Sequence, residues 1–466
     1  MTDDRWPTSS ASPTATTVLA AWAHDLTLDA VPVQVGDAVI RHLLDGLGTA
    51  VAAARQGLAA PSLRVAADLG GPAEATLLGT GARVSAPAAA LATGTLVHAL
   101  DFDDTHAGGL VHATSVVLPT VLAVGEQVGA SGEECLVAAV AGYEAVCRIA
   151  GAAPHAFHAR GLHATSVSGV LASALVAARL MGLDRETAVN ALGIAGSQAG
   201  GLLEFLATGS STKQLHPGLA AQSGILAARL AAAGADGPAS VLEGERGLYA
   251  ALADARVPAG AVTDGLGETW QSARITIKPY PSCQLMHAAL DAVSATVPLP
   301  VGPDDVRSVA VEVHPDSADI VCLPRPAKLA PRTVYDAKFS LPWSLAALLV
   351  DGVVTVDTYT EAALARDAIR RLAERVEVRV VHFPGVAADT PGRVTVTFHD
   401  GRVLTGGVPR SAGGPDRPLS ESAFLAKLAG NLGSPELART LAAEAADLAK
   451  APDLSRLLEL TQESLS

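Results

Sequence analysis

Cysteine is scarce in this 466-residue chain: Cys135, Cys147, Cys283 and Cys322 stand far apart, and no two form a CxxC pair. That spacing excludes a sequence-local zinc ribbon and suits a reducing compartment without structural disulfides. Aromatic residues are only 3% of the chain, so alanine and leucine must fill the interior, which favours closely packed helices over thick sheets. Charged residues are only 17%, and the balance is acidic, with a net charge of -14. An acidic surface argues against nucleic acid and against anionic membranes as partners. No run of about 18 apolar residues is free of polar breaks, so no transmembrane span is expected. The opening MTDDRWPTSSASPTATT lacks the basic and apolar regions of a signal peptide, and the expected location is cytoplasmic.

Apolar residues, at 49%, are ample for a large core. After a lead over 1–15, expected to be disordered, helical periodicity follows over 35–54, 85–100, 115–128, 132–150, 165–181, 185–195 and from 216 to about 233. Near residue 272 the texture changes. ARITIKPYP, 306–314, 376–383 and 393–408 read as strands, with Asp400-Gly401 marking a hairpin turn, and 285–295, 339–349 and 361–373 read as helices between them. The expected fold is mainly α. Residues 16–269 and 409–466 would form a helical domain from both chain ends, and 270–408 a smaller α+β lid.

Into this apolar background the segment 97–119, VHALDFDDTHAGGLVHATSVVLP, places Asp101, Asp103 and Asp104 among His98, His106 and His112. Buried ionisable groups are costly unless paired, and perturbed ones gather where protons are moved. If 97–105 stays helical, His98, Asp101 and Thr105 share a face. A carboxylate beside an imidazole makes His112 a candidate base oriented by Asp101. The aspartates can equally serve as helix caps. GLHATS at 161–166 echoes VHATS at 111–115, so His163 and His112 both stand at helix starts, where backbone N–H groups favour anions. Lys213, within GSSTKQLHPG, is the only lysine before Lys278, and it can lose its proton where arginine cannot. The phosphate-loop pattern GxxxxGK[ST] is absent. Lys278 opens KPYPSC at the junction of the two textures, a common place for a ligand site. Cys283 fits a small buried residue better than a nucleophile.

The ordered motifs HALDFDDTH, GLHAT, STKQLHPGLAAQSG and KPYPSC resemble those of the MmgE/PrpD family over nearly the whole chain. That family includes 2-methylcitrate dehydratases, cis-aconitate decarboxylases and iminodisuccinate epimerases. The resemblance implies a homodimer acting without metal or organic cofactor on a small polycarboxylate. By that resemblance the family's site residues fall on Asp101, Thr105, His112, His163, Lys213 and Lys278; Asp101, His112, His163, Lys213 and Lys278 are the expected catalytic set, and Thr105, His106, His216, Tyr280 and Trp343 are expected to meet the substrate. The lysines would hold carboxylates, His112 would move the α-proton and His163 would protonate a departing hydroxyl, which favours a hydro-lyase. Two departures stand out. His112-Ala113-Thr114 replaces the usual His-Pro-Ser, and Trp343 stands where decarboxylase members have a tyrosine. Two other classes fit parts of the pattern. Asp101, Asp103, Asp104, His106 and His112 can be read as a divalent-metal site of a helical hydrolase or prenyl-diphosphate enzyme, though no second acidic motif follows. A non-catalytic binding protein would show no turnover at all.

Overall fold

The computed structural model of the chain describes residues 13–465. Residues 1–12 of the expected disordered lead lie outside that range. Thr14 is already a helix cap: its hydroxyl accepts the Thr17 N–H at 3.2 Å, and the first helix runs Ala15–Asp25.

Buried apolar side chains fall into two main clusters. The larger draws on residues from Ala15 to Ile277 and again from Phe424 to Leu460, so the last helices of the chain complete the core begun by the first. The smaller runs from Met286 to Val408. Phe205, Tyr335 and Phe339 make a third, small group that joins residues from either side.

The helical body is built as its composition demands. Every residue of the helix Ala86–Ala99 is buried, as expected of a helix apolar on all faces. Small side chains let neighbours approach closely. A Cβ on Gly94 would lie 2.8 Å from the Gly218 backbone, and one on Gly218 would collide with the Leu91 carbonyl. The helix Leu215–Ala232, which follows Lys213 directly, is thereby seated against the helix that leads to Asp101. The helix Gly132–Gly151 starts on a capping box between Ser131 and Glu134. No helix of the described residues is long and apolar enough to cross a membrane.

The smaller part holds a four-stranded sheet in the order 376–380, 306–313, 392–398, 403–408. Its first pair is parallel and the other two are antiparallel. The hairpin turns at Gly401, whose φ of 90° suits glycine. The helices His287–Thr296 and Leu341–Asp351 contribute their apolar residues to the core beneath it.

Three local expectations are corrected. The strand expected across ARITIKPYP is only Ile275–Thr276, which pairs with Thr105–His106 of the helical body. The helix expected over 361–373 is split into Glu361–Leu364 and Asp367–Ala373, because Arg366 turns to an extended conformation between them. Most consequential, the helix before the aspartate cluster stops at Ala99. The Asp101 N–H turns back to the His98 carbonyl at 3.1 Å, and Asp101 takes the left-handed conformation with φ 52°. Helical spacing therefore does not relate His98, Asp101 and Thr105.

Candidate active site

The loop released by that left-handed turn carries Asp101 into a nest of cations. The Lys278 ammonium donates to the Asp101 carbonyl oxygen at 2.9 Å and to Oδ1 at 2.8 Å. Lys213 donates to the same Oδ1 at 3.2 Å. Burial pushes the Asp101 carboxyl up, yet Lys213 and Lys278 hold it well below the usual carboxylate range. Burial alone would lower the Lys278 ammonium, but Asp101 and Asp103 raise it above its ordinary value. The group is thus an ionised carboxylate shared by two lysines distant in sequence. Its conformation is the sparsely populated kind that surrounding structure must enforce.

His112 lies beside it. Its Nδ1 is 2.9 Å from the Asp104 carbonyl oxygen and 3.3 Å from the Thr105 hydroxyl. A carbonyl can only accept, so Nδ1 carries the hydrogen and Nε2 keeps its lone pair. That Nε2 is 4.0 Å from Asp101 Oδ1, beyond a hydrogen bond. The expected orienting role of Asp101 is therefore corrected: the Asp104 backbone sets the ring's tautomer, and Asp101 acts on it through charge. Burial first, then Lys278 and Lys213, hold the His112 imidazolium well below its ordinary range, so the ring is neutral.

The echoed motifs meet in space. The His112 N–H donates to the Thr165 hydroxyl at 3.1 Å, tying the start of the helix Thr114–Val128 to that of the helix Ala164–Leu180. His163, at the second start, faces His112 with ring centroids 6.0 Å apart. Its Nδ1 is 3.2 Å from Nδ1 of His216, so one ring donates and the other accepts. Burial and then Lys213 hold His163 well down as well.

These groups open on a cavity of about 220 Å³ between the helical body and the lid. Asp101, Thr105, His112, His163 and Lys213 line it. The remaining expected residues do not. Lys278 sits behind Asp101, fully buried, and His216 sits behind His163. His106 spends both ring nitrogens on structure, with Nδ1 accepting the Gly109 N–H and Nε2 reaching Gln271, each at 3.2 Å. The Tyr280 hydroxyl donates to Asp291 at 2.8 Å. Trp343 is packed in the lid core against Tyr359. None of these three faces the cavity, because each is committed to a partner elsewhere.

One pairing and several participants escaped the sequence reading. His98 Nδ1 lies 2.8 Å from Asp103 Oδ2, both fully buried. His158 and Gln284 line the cavity. Lys338, from the lid, is buried and donates to the Leu100 and Pro281 carbonyls at 2.8 Å each, clasping the residue just before Asp101. Burial pushes the Lys338 ammonium down to about 7. Lys427 pairs with Asp45 at 2.7 Å and donates to the Phe102 carbonyl at 3.1 Å. A lysine flanked by apolar residues was the one signal available for Lys338, in Ala337-Lys338-Phe339.

The proposed metal set is broken up. Asp104 is turned toward His42 and the Thr114 N–H, at 2.9 and 3.0 Å, and His106 is engaged as above. Donor atoms of His98, His112 and His163 do lie within 4.8 Å of one another, as do those of His98, Asp101, Asp103 and His112. In the second group two ammoniums already hold Oδ1 of Asp101, while its Oδ2 is buried without a hydrogen-bond partner.

Residues 17–259 match the MmgE/PrpD N-terminal domain and residues 280–448 the MmgE/PrpD C-terminal domain. The chain belongs to the MmgE/PrpD family. Among curated relatives of this MmgE/PrpD chain is a cis-aconitate decarboxylase from Aspergillus terreus, 27% identical over 97% of this chain and 96% of that protein. The human cis-aconitate decarboxylase is 29% identical over 74% of this chain and 72% of its own length. A cis-aconitate decarboxylase-like protein, oryM, from Aspergillus oryzae is 27% identical over 97% of this chain and 98% of that protein.

The neutral imidazoles of this MmgE/PrpD chain set a stability limit in acid. Burial pushes His106, His158 and His216 each down to about 4. In the unfolded chain they titrate near 6.5. Between those values the unfolded state binds more protons, so stability is complete above about 6.5 and is lost as pH falls toward about 4. Urea midpoints measured across that window should fall steadily with pH. A flat profile would show that these rings are not buried neutral.

Proposed function

We propose that the chain is a lyase that moves a proton from the carbon next to a carboxylate and expels a neighbouring hydroxyl as water. The observation that carries this reading is His112: its Nδ1 is occupied by the Asp104 carbonyl, its Nε2 keeps a lone pair, and the ring lines the cavity together with Lys213. Nε2 takes the α-proton, the carbon–carbon double bond forms and the C–O bond breaks. His163 gives the leaving hydroxyl its proton. An anionic substrate raises both imidazoles, so that each can hold a proton during the cycle. Lys213 and Lys278, pinned on Asp101, supply a fixed positive field for the charge that builds on the substrate.

A second reading is favoured by the relatives named cis-aconitate decarboxylase. There a C–C bond breaks, CO₂ departs, and His112 returns a proton to the carbon. The test is to incubate purified protein with 2-methylcitrate, cis-aconitate and iminodisuccinate and follow each by NMR. Loss of water supports the first reading and loss of CO₂ the second. Deuterium uptake at an unchanged skeleton would mark an epimerase, and silence on every compound would count against a lyase.

A further inference from the structure

We infer that the substrate carries a hydrocarbon arm, seated between the lid and the helical body, in the place where a tricarboxylate would put another carboxylate. This rests on the proton-transfer reading for the position of the acid end, but the observation behind it is separate: beside its polar residues the cavity has an apolar wall, in which Phe205 and Phe339 cluster with Leu203 and Ile320. The polar lining is Asp101, Thr105, His112, His163 and Lys213. To the apolar wall the body contributes Leu203, Phe205 and Leu206, and the lid contributes Leu285, Ile320 and Phe339, with Lys213 lying over the Phe339 ring where the two meet. Phe205 and Phe339 pack against each other with centroids 6.5 Å apart, so the wall is continuous from one side to the other.

Charge leads to the same conclusion. Asp101 and Lys213 are the two oppositely charged lining groups, and they cancel. Lys278 behind them adds a positive charge. The lid side offers only neutral polarity: Gln284, and the Cys283 thiol that burial pushes up. His158 is also neutral, held to about 4 by burial. Among the described residues no arginine lines the cavity. A carboxylate pressed against these six apolar side chains would meet one ammonium, that of Lys213, which lies 5.1 Å from the Phe339 ring centroid and is already paired with Asp101, and would be buried at a penalty. A chain of methylenes there gains instead, by about four-fold in affinity for each one buried.

Maleates distinguish the two arms cleanly, since cis-aconitate is maleate bearing a carboxymethyl group. Calorimetric titration of the protein with cis-aconitate, 2-propylmaleate and 2-butylmaleate should show the butyl compound binding at least ten-fold tighter than cis-aconitate, with propyl between. Ile320→Arg, which sets a cation in the apolar wall, should reverse that order. Equal or tighter binding of cis-aconitate by the unaltered protein overturns the inference, as does binding of none of the three. Should the variant fail to fold, the three-ligand ranking decides alone. Turnover separates this inference from the reading it rests on. A preference for butyl without turnover of any hydroxylated or unsaturated acid removes the lyase and keeps the arm. Turnover confined to compounds with a third carboxylate removes the arm and keeps the lyase.

Discussion

Asp101→Asn is expected to lower the unfolding free energy by about 3–5 kcal/mol, the loss typical of removing one partner from a buried ion pair. The amide is nearly the same size, so packing is preserved and the effect isolates charge. What remains is Lys278, fully buried, and Lys213, only 5% exposed, facing each other without the anion that both now share. Asn tolerates the left-handed backbone at this position, so backbone strain does not confuse the result. Urea denaturation monitored by circular dichroism checks it, with Lys213→Met as comparison. Lys213 reaches the cavity while Lys278 does not, so its removal should cost less. An Asp101→Asn protein as stable as the parent would mean that the carboxyl is not ionised in the fold.

His112→Asn should reduce kcat by about 10²–10⁴-fold, the range for a lost proton-transfer group. The asparagine amide can still donate to the Asp104 carbonyl, which the Nδ1 hydrogen satisfies at 2.9 Å, so the loop keeps its anchor. What disappears is the basic lone pair of Nε2. Steady-state kinetics on whichever acid the NMR panel selects, together with a urea curve close to the parent's, would separate chemistry from folding. If kcat holds, another group abstracts the proton. If stability drops with kcat, the ring's role is structural.

The parts of the site legible in the sequence were those with an internal echo or a compositional contrast. His112 and His163 announced themselves through the repeated His-Ala-Thr-Ser, and the Thr165 hydroxyl joins the two copies. Lys213 and Lys278 were visible because lysine is so rare before them. The arrangement among these residues was not legible. A helical reading of 97–105 missed the His98–Asp103 pair, because a single left-handed residue after Leu100 redirects the chain. His106 and Tyr280 were expected to meet the substrate, yet their partners Gln271 and Asp291 could not be foreseen from local pattern. Lys338 shows the limit most clearly. Its two carbonyl acceptors lie 238 and 57 residues away, and no local periodicity encodes such a contact. The fold class was legible throughout, since an alanine-rich, aromatic-poor chain has few ways to bury itself other than helix on helix.

The core shared by the two ends of the chain has a consequence for its birth on the ribosome. Domains tend to fold as they emerge, N-terminal first. Here the residues from Phe424 onward that finish the larger core are synthesised after the sheet of the smaller part. Lys427, which braces the Phe102 carbonyl from that late segment, also arrives then. The nascent polypeptide must therefore keep an unfinished bundle, with apolar faces still uncovered, while a later-made module is already complete. The site loop gains the Lys427 brace only after the whole sheet of the smaller part has been made.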